Sequence, residues 1–434
     1  MSKLVLSLYS AVMWCAQPFL RLKLARRGRA EPGYLLNIEE RFGRYQQPAV
    51  LSLPKDHQKD PQFVWIHAVS LGETRAAGVL VAALRQHLPD MKLLLTQGTA
   101  TGRAEGEKLL RAGDVQVWQA WDTAAAAERF IQHFQPRIGI MMETELWPNM
   151  AATCAKYQIP LVIANARMSE KTYVQTKKFD GLARPAYESL AAVWPQSAAD
   201  AQRFAKLGAP VMGVFGNLKF DAVVDANQLE MGNNWRSNMI RPVVMFASSR
   251  EGEELALLQY LQKNVLEVQW LIVPRHPQRF DEVAALIEKH GFTVSKRSEW
   301  LEQPDKQLKI PEANTIWLGN SLGEMALYYG MSDVALLGGS FEPLGGQNLI
   351  EAAACGCPVV MGPSVFNFSQ AATLAIESGA AFAVDSISQA VDAANAMVKS
   401  TTTLEVARAA AQQFAKSHQG AAEKTAAAVV QLLR

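Results

Sequence analysis

The pattern that most constrains this chain is a series of short apolar runs lacking polar alternation. FVWIHAV, KLLLTQG, VQVWQA, RIGIMME, PLVIANA and VMGVFG follow one another between residues 63 and 216, separated by helical patterns such as RAAGVLVAALRQHL and AAAAERFIQHF. A strand that is apolar on both faces must be covered on both, and helices spaced between such strands provide the cover. Parallel strands of a doubly wound α/β unit meet that requirement. The pattern lapses through the polar stretch DANQLEMGNNWRSNMIRP, residues 225–242, then resumes with VVMFASS, QWLIVPR, TIWLG, VALLGGS, PVVMGP and AAFAVDS. The expected fold class is α/β with two Rossmann-like domains, one over 45–224 and one over 243–434, joined by a linker at 225–242 and preceded by a segment at 1–44. Two such units leave a cleft, and open α/β sheets bind ligands outside the carboxyl ends of their strands.

A chain of 434 residues that is 49% apolar has enough material for two or three cores. Its cysteines, at 15, 154, 355 and 357, are too few and too uneven for a disulfide framework. C-G-C at 355–357 lacks the spacing of a zinc site, so these read as packing residues in a reducing compartment, and no metal is expected. The net charge of +2 hides an asymmetry: residues 1–44 hold eight Lys or Arg against three Glu, leaving −3 for everything after. No nucleic-acid partner is expected from that balance.

The segment Leu4 to Leu20 runs seventeen residues without a charge, and Arg21, Lys23, Arg26, Arg27 and Arg29 follow it. A cleaved signal would carry its charges before the apolar run. Cations after the run stay cytoplasmic and are drawn to anionic headgroups, so the segment reads as a retained inner-membrane anchor with the catalytic body on the cytoplasmic side. Whether it spans the bilayer or lies on it is open at ~17–20 residues. The competing reading is an apolar helix docked on the protein's own core.

Candidate chemistry collects at strand ends. Glu73 sits where WIHAVSLGETRAA passes from strand to helix, a place that favours an anion and would otherwise take phosphate. It is either a helix-start residue or a base kept where phosphate is unwanted. Glu143 and Glu145, in MMETELWPN, form a carboxylate pair suited to acid–base work. Arg275 and His276 end the strand in VPRHPQRF, where an arginine fork can clamp phosphate or carboxylate. In LLGGSFEPLGGQNLIEAAACGCPVVMGP, two Gly-Gly pairs bracket a loop before a helix beginning near Asn348, with Glu351 one turn further on and in reach of a ribose. GNSLG at 319–323 matches a hydrolase nucleophile elbow around Ser321, but the only later histidine is His418 in an alanine-rich helix.

Taken in order, HAVSLGE, TATG, METELWPN, IANARMSEK, GNLKFD, REGEE, VPRHPQRF, LGEM, GGQNLIEAAACGCPVVMGP and FNF resemble one family over nearly the whole chain, with RAEPGY and ERFGRY extending the likeness toward the start. That family is the 3-deoxy-D-manno-octulosonic acid (Kdo) transferases of lipid A assembly. The resemblance implies a GT-B glycosyltransferase whose N-domain binds the lipid A precursor and whose C-domain binds the donor CMP-Kdo, with no further cofactor. It places Glu73 on the catalytic base and Glu143 on a second glutamate of the acceptor half. It places Pro274, Arg275 and His276, Gly323, Glu324 and Met325, and Asn348, Leu349, Ile350 and Glu351 on the segments that contact CMP. Two positions depart from the family pattern: Arg250 and Gln347 stand where many relatives have histidine. The alternatives are a serine hydrolase acting through Ser321 and a non-catalytic, membrane-associated binder of nucleotide sugars.

Overall fold

The computed structural model describes residues 3–47, 63–264, 267–300 and 314–434. They form two compact units, Met1–Ala222 with Gln419–Arg434, and Val223–His418.

The first unit carries six parallel strands: β1 (Phe63–His67), β2 (Lys92–Gln97), β3 (Val115–Trp118), β4 (Ile138–Met142), β5 (Leu161–Ala166) and β6 (Ala192–Pro195). Their order is β3-β2-β1-β4-β5-β6. Successive residues of a strand point to opposite faces. Val64 and Ile66 accordingly join one core under the Leu71–His87 helix, and Trp65 joins the other with Phe130 and Phe134. The sixth strand differs from expectation. It is AVWP, whereas in VMGVFG the positive φ of Gly213 and Gly216 breaks the run and leaves Val211 a lone bridge to Val193.

The second unit holds seven strands: β7 (Val243–Ser249), β8 (Gln269–Pro274), β9 (Thr293–Lys296), β10 (Thr315–Leu318), β11 (Val334–Leu337), β12 (Val359–Met361) and β13 (Ala381–Ala383). They are ordered β13-β12-β11-β7-β8-β10-β9. Edge strand β9 is only partly buried, which is why its sequence, TVSK, lacks the apolar signature of the others.

Two boundaries depart from the expected division. The stretch expected to be a linker contains a helix, Ala226–Ser237, capped by Asp225, whose Oδ1 accepts from the amides of Asn227 (3.0 Å) and Gln228 (3.1 Å). Gly232 permits close packing there, since a Cβ would lie 2.3 Å from the Leu327 carbonyl oxygen, and Trp235 is buried. The last helix, Ala421–Leu432, belongs to the first unit. Ala421, Ala422, Ala426 and Val429 complete the core beneath the Leu71–His87 helix, and Asp221 accepts from the Gly420 (2.5 Å) and Ala422 (2.6 Å) amides.

The N-terminal helix, Lys3–Ala30, has two apolar faces. One docks on the first unit: Ser10 Oγ donates to Asn149 Oδ1 (2.7 Å), and the Tyr9 hydroxyl bonds Asp122. The other leaves Leu4, Leu8, Val12, Phe19 and Leu22 each more than half exposed. Among the described residues no helix is long and apolar enough to cross a membrane. The reading of an apolar helix docked on its own protein therefore holds for one face of this helix. Two of its cations are engaged locally: Arg21 pairs with Glu39 (3.1 Å) and stacks on Phe42, and Arg27 lies over Tyr34.

Candidate active site

In the first unit the strand order changes direction between β1 and β4, and the β1–β4 register pairs His67 with Met141. Loops leaving two such strands diverge to opposite faces and open a crevice at their carboxyl ends. Glu73 lies just beyond β1 and Glu143 just beyond β4, so the topology brings together two residues separated by 70 positions of sequence.

Glu73 is both things its sequence context allowed. Ser70 caps the Leu71–His87 helix, accepting from the Glu73 amide (3.4 Å). The Glu73 carboxylate in turn accepts from the Val69 amide (2.9 Å, Oε2) and the Ser70 hydroxyl (2.9 Å, Oε1), a close relative of the capping box. These two donors fix its rotamer. Burial pushes its pKa up to about 7; the two hydrogen bonds oppose this, while the nearby charges of Glu143 and Glu145 add to it. A carboxylate with that pKa is half-deprotonated near neutrality, as a general base requires.

Glu143 adopts the left-handed conformation (φ 57°), uncommon for a side chain of this type, and is pinned by its amide to Ala164 O (3.0 Å). Non-glycine residues held there at strand ends store strain that the surrounding fold must offset. Glu145 is half-buried, and burial followed by the Glu143 charge raises its pKa.

The helix following this loop, Pro148–Lys156, has Trp147 at its N-cap and so no side-chain cap of its own. Asp122, buried after β3, supplies one. Its Oδ2 accepts from the Asn149 amide (3.0 Å) and its Oδ1 from the Met150 amide (2.9 Å). Burial raises the Asp122 pKa to about 6 despite these bonds. This support was missed in the sequence; the signal was a helix starting at Trp-Pro-Asn with nothing local to cap it.

In the second unit the order reverses between β7 and β11. The β11–loop connection depends on glycine: a Cβ on Gly338 would stand 2.2 Å from the Ser248 carbonyl oxygen, and one on Gly345 would stand 2.5 Å from Asn367 Nδ2. Asn367, from the FNF segment, donates to Leu344 O (3.0 Å) and so pins this loop. Glu253, fully buried, accepts from the amides of Arg250 (2.8 Å), Gly339 (2.8 Å) and Phe341 (3.1 Å), tying the β7 and β11 loops into one edge. Burial raises its pKa while the three amides pull it back. Asn348 caps the short helix Leu349–Ala354.

Arg275 and His276 follow β8 at the same edge. The pKa of His276 is lowered by burial first, then by the charges of Arg250 and Arg275. The arginine that departs from the family pattern thus adds to a cationic cluster. Glu251 lies between Arg250 (2.9 Å) and Arg279 (3.7 Å), and Arg279 is also paired bidentately with fully buried Glu254 (2.8 and 3.2 Å) as a structural ion pair.

The remaining expected residues divide by exposure. Gly323 is exposed at φ 79°, and Glu324, Met325, Asn348 and Glu351 are partly exposed. Pro274, Leu349 and Ile350 are buried, so their side chains pack and only their backbone can face a ligand. The Ser321 hydroxyl bonds Glu324 and Tyr328, not histidine, and Glu324 is held by Arg297 (2.7 Å). His418 bonds Phe414 O (2.8 Å) at the end of its own helix. Neither residue is arranged as part of a hydrolase triad. All four cysteines are free.

The family model described as "3-Deoxy-D-manno-octulosonic-acid transferase (kdotransferase)" matches residues 36–222, and "Glycosyl transferases group 1" matches 295–414. A 3-deoxy-D-manno-octulosonic acid transferase of Bordetella pertussis is 38% identical over 431 residues, covering 96% of this chain and 97% of its own. One from Haemophilus influenzae is 30% identical over 425 residues, covering 96% of each. Among solved structures, a UDP-GlcNAc 2-epimerase from Neisseria meningitidis aligns over 86% of this chain and 99% of its own with a TM-score of 0.54 at 11% identity, a likeness of fold alone. Identity of this extent over essentially the full length, on two parallel α/β units carrying these strand-end residues, means that the chain belongs to the 3-deoxy-D-manno-octulosonic acid transferase family and is a glycosyltransferase.

Proposed function

We propose that the protein transfers Kdo from CMP-Kdo to a hydroxyl of a lipid A precursor, with inversion, at the cytoplasmic face of the inner membrane. The observation that carries the chemistry is Glu73, a carboxylate oriented by two donors with its pKa raised to about 7. It accepts the proton of the attacking hydroxyl as that oxygen bonds the anomeric carbon of Kdo. The anomeric bond to phosphate breaks, and CMP departs with its electron pair. CMP is a good leaving group, so one base suffices on the acceptor side. The donor presents one phosphodiester charge, which arginine and backbone amides can balance without a metal. Arg250, Arg275, His276 and the β11 loop of the second unit are the groups suited to hold it.

The exposed face of the N-terminal helix supports in-plane membrane docking. Leu4, Leu8, Val12, Phe19 and Leu22 recur at helical spacing, and Lys23, Arg26 and Arg29 are exposed near its C-terminal end. The test is incubation of the purified protein with CMP-Kdo and a tetraacylated lipid A precursor in mixed micelles, with products read by mass spectrometry. The expected result is a mass gain of one or more Kdo units on the lipid. Release of free Kdo without a lipid product would overturn the acceptor assignment.

A further inference from the structure

A cleft of about 400 Å³ opens in the first unit between the N-terminal helix, the loop after β4 and the helices Glu170–Lys177 and Asp180–Glu188. Its lining is mainly apolar and includes Tyr9, Leu146, Phe179, Leu182 and Ala183. Thr144 and Leu146, which flank Glu145, also line it, so one end of the cleft abuts the loop that carries Glu143 and Glu145. The other end reaches Tyr9, on the helix whose outer face is apolar and exposed. The stretch of chain that supplies this wall is itself amphipathic. Phe179 and Val174 are largely exposed although they are large apolar side chains, and Lys171, Lys177 and Lys178 are exposed on the same short stretch of chain.

An apolar slot walled by a stretch of chain that exposes Lys171, Lys177 and Lys178 matches one ligand chemistry: a hydrocarbon chain attached to an anionic headgroup. A soluble sugar or nucleotide would leave these walls unsatisfied, whereas a hydrocarbon chain gains with each methylene withdrawn from water. Resting on the lipid-acceptor reading above, we infer that this cleft takes one acyl chain of the acceptor, with the lysines beside it facing the acceptor's phosphate. The chain then runs from the membrane-facing helix toward the carboxylate loop. The cleft thus fixes which end of the lipid is presented to Glu73.

Two variants fill the cleft from different walls, Ala183→Trp and Thr176→Phe, each measured against a tetraacylated acceptor and the same phosphorylated disaccharide with its acyl chains removed. The expected result is a KM for the acylated acceptor raised by roughly tenfold or more, with transfer to the deacylated acceptor unchanged, which also reports that the variant is folded. If Ala183→Trp loses both activities, Thr176→Phe decides. A parallel loss on both acceptors in Thr176→Phe, or no loss on either, overturns the inference while leaving the lipid-acceptor reading intact. A wild-type protein that transfers no Kdo to any acylated acceptor overturns that reading instead. An acceptor bearing a diazirine on one acyl chain should cross-link within residues 170–188. Cross-linking there by a diazirine phosphatidylethanolamine, with none by the acceptor, would assign the cleft to bulk lipid and refute the proposal.

Discussion

The carboxyl edges of the two sheets occupy the same place in the same kind of architecture and present different titratable groups: carboxylates in the first, arginines and a histidine among carboxylates in the second. After β1 and β4 of the first unit stand Glu73, Glu143 and Glu145. After β7 and β8 of the second stand Arg250, Arg275 and His276. In the first unit burial, with like charge adding to it, pushes a carboxylate up toward neutrality; in the second the same forces push an imidazole down. A parallel sheet supplies the platform, and a few residues past each strand decide whether an anion is bound there or a proton removed. Each edge has a strained residue where its central strand ends, Glu143 (φ 57°) in one and Ser248 (φ 55°) in the other, which suggests that both loops are aimed rather than merely closed.

The largest expected effect breaks the acidic edge. Glu73→Gln keeps the shape and one acceptor oxygen but cannot take a proton, so turnover should fall by ~10²–10⁴ with CMP-Kdo affinity, measured by calorimetry, unchanged. The same variant should be more stable than the parent at alkaline pH. A carboxylate whose folded pKa of about 7 exceeds its ordinary 4.5 binds the proton more tightly when folded, so its contribution to stability is lost as pH rises between those values. Thermal unfolding on both sides of neutrality checks this.

Next in size is Arg279→Ala in the second unit. It strands the fully buried Glu254 carboxylate with the Ser249 hydroxyl (2.7 Å) as its remaining side-chain partner among the described residues and should cost ~3–5 kcal/mol by chemical denaturation. Arg275→Ala, by contrast, removes a charge proposed above to hold the donor. CMP-Kdo should bind roughly 10–100-fold more weakly, in line with a charged hydrogen bond of ~1.5–3 kcal/mol, while the acceptor KM holds. The pair separates the structural arginine from the one proposed to bind the donor, four residues apart. The smallest effect is expected from Ser70→Ala, which should cost ~1 kcal/mol of stability as a lost N-cap. It should also move the acid limb of the rate profile to higher pH, because the Glu73 carboxylate loses a donor.

Much of this was legible before the fold was known. The strands that are buried on both faces were readable because nothing polar interrupts them, and S-L-G-E announced a capped helix. The positive φ of Gly339, Gly345 and Gly346 is what glycine pairs in a loop foretell. What escaped were features determined by distant partners. The Ala226–Ser237 helix looks like linker because Gly232 and Trp235 are its only buried residues. Asp122 and Glu253 are acidic residues whose role as buried acceptors for amides far along the chain has no local signature. The return of residues 421–432 to the first unit is likewise written only in alanines that fit a groove made by Leu80 and its neighbours.

The most direct test of the opposed edges is the pH dependence of single-turnover transfer at saturating CMP-Kdo, measured beside the pH dependence of CMP-Kdo binding. Loss of the Glu73 base should appear as one acid limb in the transfer rate with a midpoint of about 7, displaced to lower pH in Glu145→Gln because a neighbouring negative charge is gone. Donor binding should stay level through that midpoint, since His276 titrates below its ordinary 6.5. A transfer rate that does not change through neutrality, or an acid limb found in donor binding and not in transfer, would contradict the assignment of the base to the first unit.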